Sequence, residues 1–220
     1  MGSLYVTNDD HTEKVYDSFV AQFEENHFFI DNQHELLQYF LSEYEKNSLK
    51  MTRSNVFLRG RINEKAPFDD KDLNAPPKGK ASAGRLNPKG ISYLYAAEHE
   101  STVVSELRPW IGATITIATC ESLRELKVIN LVPDESESQM LNSYRRVISA
   151  KFSKPVVPSE KELSYLPTQY IAEYFKQQGY DGLRYSSSVH TGGINYAFFN
   201  PIDFNVKCRN QVTVSAIKYD

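Results

Sequence analysis

The sequence predicts an α+β protein, on three observations. The first fifty residues carry helical periodicity. From Ser54 onward, short apolar strands and amphipathic helices alternate without a regular βαβ rhythm. Neither a GxGxxG turn nor a P-loop is present, so no doubly wound nucleotide fold is indicated. With 220 residues, the chain can bury one sizeable core, or one domain with a small appendage.

The elements follow in order. EKVYDSFVAQFEE places Val15, Phe19 and Phe23 on one helical face. DNQHELLQYFLSEYEKN does the same with Leu37, Phe40, Leu41 and Tyr44, with Asp31 or Asn32 as the expected N-cap. SLKMT closes this helical section. NVFLRGRI is short and apolar and reads as a strand. NEKAPFDDKDLNAPPKGKASAG is rich in Pro, Gly, Asp and Lys and reads as a long loop, a feature that tends to be functional inside a compact domain. ISYLYAA is a strand and ESTVVSELR a short helix. ATITIATC alternates as a half-buried strand does, and LKVINL is another strand. SESQMLNSYRRVISAKFSKPV is an amphipathic helix. SYLPTQYIAEYFKQQG is a second, with Tyr170, Ile171, Tyr174 and Phe175 as its apolar side and Gly179 as its C′ residue. YDGLRYSS, NYAFFN, FNVKCRN and TVSAIKY supply the remaining strands.

Composition excludes several functions. The net charge is −3, which argues against direct nucleic-acid binding, because phosphate neutralisation needs a basic surface. No apolar run approaches the roughly 20 residues of a membrane span, and the N-terminus lacks the basic and apolar regions of a secretory signal. A cytoplasmic protein is expected. Cys120 and Cys208 read as isolated reduced thiols. The five histidines (His11, His27, His34, His99, His190) form no metal-binding spacing, so no metal is expected.

Three segments could carry chemistry. Arg59 and Arg61 alternate on FLRGRI and should share a face. Arg85 follows Gly84, where backbone can approach a ligand closely. Guanidinium groups converging from two segments suit a pyrophosphate or a carboxylate. Glu106 lies late in its helix, where the macrodipole favours cations, so helix electrostatics does not explain it. A carboxylate there could bind sugar hydroxyls and stabilise positive charge on an anomeric carbon. Tyr93 and Tyr95 share a face of their strand, one for core packing and one for a cleft. Ser186, Ser187 and Ser188 precede a Gly-Gly loop. With no GxSxG elbow, a hydroxyl that binds phosphate or ribose is a better reading than a hydrolase nucleophile. Taken singly, each of these residues also has an ordinary structural explanation.

In order, FLRGR, GRLNPKGISYLYAAEHESTVVSELRP and GYDGLRYSSSVHTGGINYAFF resemble the RES domain family, over roughly Ser54 to Tyr219. The resemblance implies an ADP-ribosyltransferase-like mixed β core with flanking helices. It divides the chain into an N-terminal helical appendage, residues 1–52, and a catalytic domain, residues 53–220. It implies a toxin of a bacterial toxin–antitoxin pair that degrades NAD+ by hydrolysis or phosphorolysis. No cofactor is then required: NAD+ is the substrate, and inorganic phosphate is a candidate co-substrate. Carried over residue by residue, the family's arginines fall on Arg59 and Arg85, its tyrosine on Tyr95, its glutamate on Glu106 and its serine on Ser187, with Ser186 and Ser188 leaving that last register open. Glu106 would orient the ribose, the arginines would hold pyrophosphate or phosphate, Tyr95 would position the nicotinamide end, and Ser187 would donate to a phosphate or ribose oxygen. The implied partner is an Xre-type antitoxin; a homo-oligomer is left open. Two other readings stand beside it: an ADP-ribosyltransferase that uses the same site to modify a protein or nucleic acid, and a non-catalytic binding module whose working surface is its N-terminal helices.

Overall fold

The computed structural model describes residues 8–153 and 161–216. Helix α1 (Asn8–Glu25) buries Val15, Phe19 and Phe23, the face that the periodicity predicts. α2 (Glu35–Ser42) is capped at His34, whose Nδ1 accepts the Leu36 N–H at 3.2 Å. The expected cap, Asp31, is engaged one turn earlier: its Oδ1 accepts the Gln33 N–H at 2.8 Å and closes a local turn. α3 (Tyr44–Asn47) follows, and residues 48–51 depart from the expected end of a helical section. They form strand β1 (Ser48–Met51), which pairs antiparallel with β5 (Leu126–Asn130).

The remaining strands are β2 (Val56–Ile62), β3 (Leu94–Ala97), β4 (Thr114–Ser122), β6 (Gly182–Ser186), β7 (Ile194–Phe198) and β8 (Phe204–Thr213). Together they form one eight-stranded sheet in the order β1-β5-β6-β7-β3-β2-β4-β8. Among the described residues only β5 and β6 pair in parallel, so the sheet is mixed and the fold is α+β. The last two expected strands are one, β8, which follows β4 with a register shift opposite Ile117 and Ala118. It ends at Thr213, and residues 217–219 of TVSAIKY lie outside the described residues. The long loop after β2 contains a short helix, α4 (Asp70–Leu73), pinned by the fully buried Leu73.

Helices α6 (Gln139–Ser153) and α7 (Lys161–Gln177) share a core with α1 and α2 against one face of the sheet, built on Phe19, Leu37, Phe40, Tyr144, Ile148 and Phe175. Phe57, Leu94, Phe198 and Phe204 form a second cluster. The boundary expected at 52/53 falls between β1 and β2, two strands of the same sheet. Helix α5 (Glu100–Leu107) packs Val103 on Leu58, Ile115 and Ile117 in a third, smaller cluster. It stops at Arg108, which adopts left-handed φ of 47° before Pro109, a residue that disfavours helix in its predecessor.

Candidate active site

The sheet opens between β2 and β3. These neighbours pair at a single position, Leu58 with Ala97, whereas β2 pairs with β4 over all seven of its residues. A cavity of about 260 Å³ occupies the opening. Arg59, Gly60, Tyr95, Glu106, Tyr185 and Asn195 are among its walls.

Register explains why these residues meet. Asn195 on β7 pairs with Tyr185 on one side and with Ala97 on the other. Two residues along, Ala197 lies between Leu183 and Tyr95. Residues directly opposite in a ladder present their side chains to the same face, so Tyr95, Tyr185 and Asn195 line one side of the sheet. Glu106 is brought over them by α5, and Gly60 permits the approach. A Cβ at position 60 would lie 2.6 Å from Val103 Cγ1 and 3.0 Å from Leu107 Cδ1.

Glu106 itself is exposed, yet its carboxylate is held from strand β7 and from the loop that follows β6. Ser187 Oγ donates to Oε1 at 2.7 Å, and Asn195 Nδ2 donates to the same oxygen at 2.5 Å. Ser187 is fixed in turn: its Oγ accepts from the backbone N–H groups of Val189 (3.2 Å) and His190 (3.1 Å). A hydroxyl has one proton, and here that proton points at Glu106. The neighbouring serines have other partners. Ser188 Oγ donates to Ser153 O at 2.8 Å, and the Ser186 N–H donates to Ser149 Oγ at 2.8 Å. Of the three, Ser187 is the serine that touches Glu106. The loop is tied to α5 a second time by Thr102 Oγ1 and His190 Nδ1, 2.8 Å apart.

Arg59 spans the opening. Its Nε donates to Leu73 O at 3.0 Å and its NH1 to Tyr95 O at 2.9 Å, so a side chain bridges strands whose ladder has lapsed. Burial lowers the pKa of this guanidinium. Among the described residues no carboxylate forms an ion pair with it. A half-buried cation without a counter-ion is poised for an anionic ligand. Tyr95 OH donates to Asn87 Oδ1 at 2.7 Å, and burial pushes the phenol's pKa up, so it stays a neutral donor. Tyr185 is shifted the same way, first by burial and then by Tyr95 and Glu106.

Two predicted residues lie elsewhere. Arg85 NH1 donates to Phe152 O (3.2 Å) and Ser153 O (2.5 Å) at the end of α6, where the macrodipole favours a cation. Its charge still reaches Tyr95 and Tyr185, but it does not line the cavity. Arg61 shares the face of Arg59, as alternation predicts, but it lies outside the cavity. It donates to Asp72 O at 2.6 Å and covers the Phe68 ring at 4.2 Å. Three residues went unassigned in the sequence reading: Asn195, Tyr185 and Asn87. The available signal was a polar Asn195 set between Ile194 and Tyr196 in an otherwise apolar strand. Among the described residues, no three His, Cys, Asp or Glu side chains gather as metal ligands, and no helix is long and apolar enough to cross a membrane.

One cavity thus gathers an exposed carboxylate anchored by Ser187 and Asn195 and an arginine that, among the described residues, has no ion pair. The RES domain family matches residues 59–218, and the chain belongs to that family. Among solved structures, it is similar to a chain of the M. tuberculosis MbcT–MbcA toxin–antitoxin complex. The identity is 11% over 82% of this chain and 92% of that chain, with a TM-score of 0.46. No curated protein matches.

Proposed function

We propose that this RES-domain protein cleaves the nicotinamide–ribose bond of NAD+ and so acts as a toxin that depletes the dinucleotide, restrained in the cell by an antitoxin of the Xre type. The observation that carries the reading is the Glu106 carboxylate, fixed by Ser187 and Asn195 at the mouth of the cavity. The cavity is smaller than the ~300–1,000 Å³ of a complete small-molecule site. It suits part of the dinucleotide at the nicotinamide–ribose end, with the adenosine end outside.

In this reading the bond from the anomeric carbon to the pyridinium nitrogen breaks, and its electron pair leaves with nicotinamide, which becomes neutral. Positive charge grows on the ribose ring, and Glu106 stabilises it while holding the ribose hydroxyls. Both donors to Oε1 come from protein groups already in place, so the carboxylate needs no reorganisation as charge develops. Arg59 faces the phosphates. A water or phosphate oxygen then bonds to the anomeric carbon; with water, one proton is released to solvent. Because nicotinamide leaves as a neutral molecule, no general acid is required.

Chromatography of NAD+ incubated with the protein tests the proposal, with and without phosphate. Nicotinamide plus ADP-ribose indicates hydrolysis, and nicotinamide plus ADP-ribose 1″-phosphate indicates phosphorolysis. Intact NAD+ under both conditions overturns the reading. Glu106→Gln, with its fold intact by circular dichroism, is expected to lower the rate by about 10²–10³-fold, the scale of losing one preorganised electrostatic group.

A further inference from the structure

A second cavity, of about 570 Å³, lies apart from the first and shares no wall residue with it. Its volume falls within the ~300–1,000 Å³ usual for small-molecule sites. Pro76, Pro77, Ile91, Phe199 and Ile202 give it apolar walls. Two lysines also line it: Lys78 from the long loop and Lys176 from α7. Among the described residues neither lysine forms an ion pair. Asp203, the carboxylate beside Ile202, is already engaged by Arg124 at 2.7 Å.

Internal bonds hold the walls in shape. Ser92 Oγ donates to Pro76 O at 2.5 Å, the Gly79 N–H to Gly90 O at 2.9 Å, and the Gly90 N–H to Ala81 O at 2.8 Å. The loop is therefore a formed structure, with proline-fixed backbone where it borders the cavity. Apolar walls with two cations from separate segments match a ligand that has an apolar body and a negative group.

We propose that this cavity binds a small organic anion with an apolar body, at a site distinct from the one that holds Glu106. The two cavities are joined by one peptide link. Asn74 borders the second cavity, and the carbonyl of Leu73 accepts Arg59 Nε in the first. An occupant that shifts residues 74–78 shifts the acceptor that positions Arg59.

Phenylacetate serves as the probe: an aromatic body with one carboxylate. In amide-resolved NMR of the full chain, its titration should produce saturable shifts at the non-proline residues of 74–79, 90–92 and 199–202. Lys78→Glu, in an exposed loop, should weaken binding about tenfold, the scale of one charge-assisted contact. Lys176→Glu should do the same and is a second, independent variant. No saturable shift in these segments, or shifts confined to residues around Glu106, would overturn the proposal, as would unchanged binding in both variants. The measurement reads binding without catalysis, so its outcome stands whether or not NAD+ is the substrate.

Discussion

At Asn195 and Glu106, one hydrogen bond decides how a carboxylate is held. The Asn195 amide donates to Oε1 at 2.5 Å, alongside the Ser187 hydroxyl. Asn195→Asp replaces that donor with a second carboxylate. Like charge beside Glu106 then adds to the loss of the donor, so Asn195→Asp should lower the rate of NAD+ cleavage further than Asn195→Ala does, both measured with the fold intact by circular dichroism. The two thiols make a separate contrast. Burial pushes Cys120 up to about 12, against the opposing charge of Arg59, whereas Cys208 is exposed. Thiolate is the reactive form. A thiol reagent at mildly alkaline pH should therefore titrate one cysteine quickly, and the second only after denaturation.

Among elements, α5 sets the position of Glu106, and its seat on β2 depends on Gly60. A methyl group there would come within 2.6 Å of Val103 Cγ1, well inside contact distance. Gly60→Ala should push α5 outward and destabilise the fold by about 1–3 kcal/mol, the usual scale of overpacking. The loss of activity should exceed what stability explains. A displacement of about 1 Å at a catalytic group costs on the order of 10²-fold. Thermal melting and steady-state rates, read below the melting transition, separate the two effects. The helix itself was legible in ESTVVSELR, because a 3.6-residue period is a local signal, and so was the alternation that sets Arg59 and Arg61 on one face. The register Tyr185–Asn195–Ala97 was not legible. It depends on which strands become neighbours, and β3 reaches β7 across about a hundred residues of chain, a distance no local pattern spans. Arg85 shows the same limit. Its place beside a glycine was readable, but its partners, the last carbonyls of α6, belong to a helix more than fifty residues away.

For the whole molecule, the N-terminal helices raise the question of whether residues 53–220 stand alone. Helical periodicity sets residues 1–52 apart in the sequence, although Ser48–Met51 among them form β1. The periodicity could not show where the apolar faces dock. Phe19 and Phe40 are fully buried, and their surroundings include Tyr144, Tyr170 and Phe175, from α6 and α7. Thr12 Oγ1 and Ser143 Oγ meet at 2.8 Å in the interior of the same interface. β1 covers the outer edge of β5 over four paired residues. A chain starting at residue 53 would expose the apolar faces of α6 and α7 to water. Burying one large apolar side chain is worth about 1.5–3 kcal/mol, so losing the cover of Val15, Phe19, Phe23, Leu36, Leu37 and Phe40 is comparable with the ~5–15 kcal/mol that holds a typical domain folded. It would also leave β5 an open edge, a template for association. The expected outcome is a truncated chain that aggregates or shows collapsed amide dispersion in a ¹H–¹⁵N spectrum, with no NAD+ cleavage, while the full chain gives dispersed signals. A monomeric, dispersed and active 53–220 fragment would show instead that the helices are a separable module and that the catalytic sheet carries its own core.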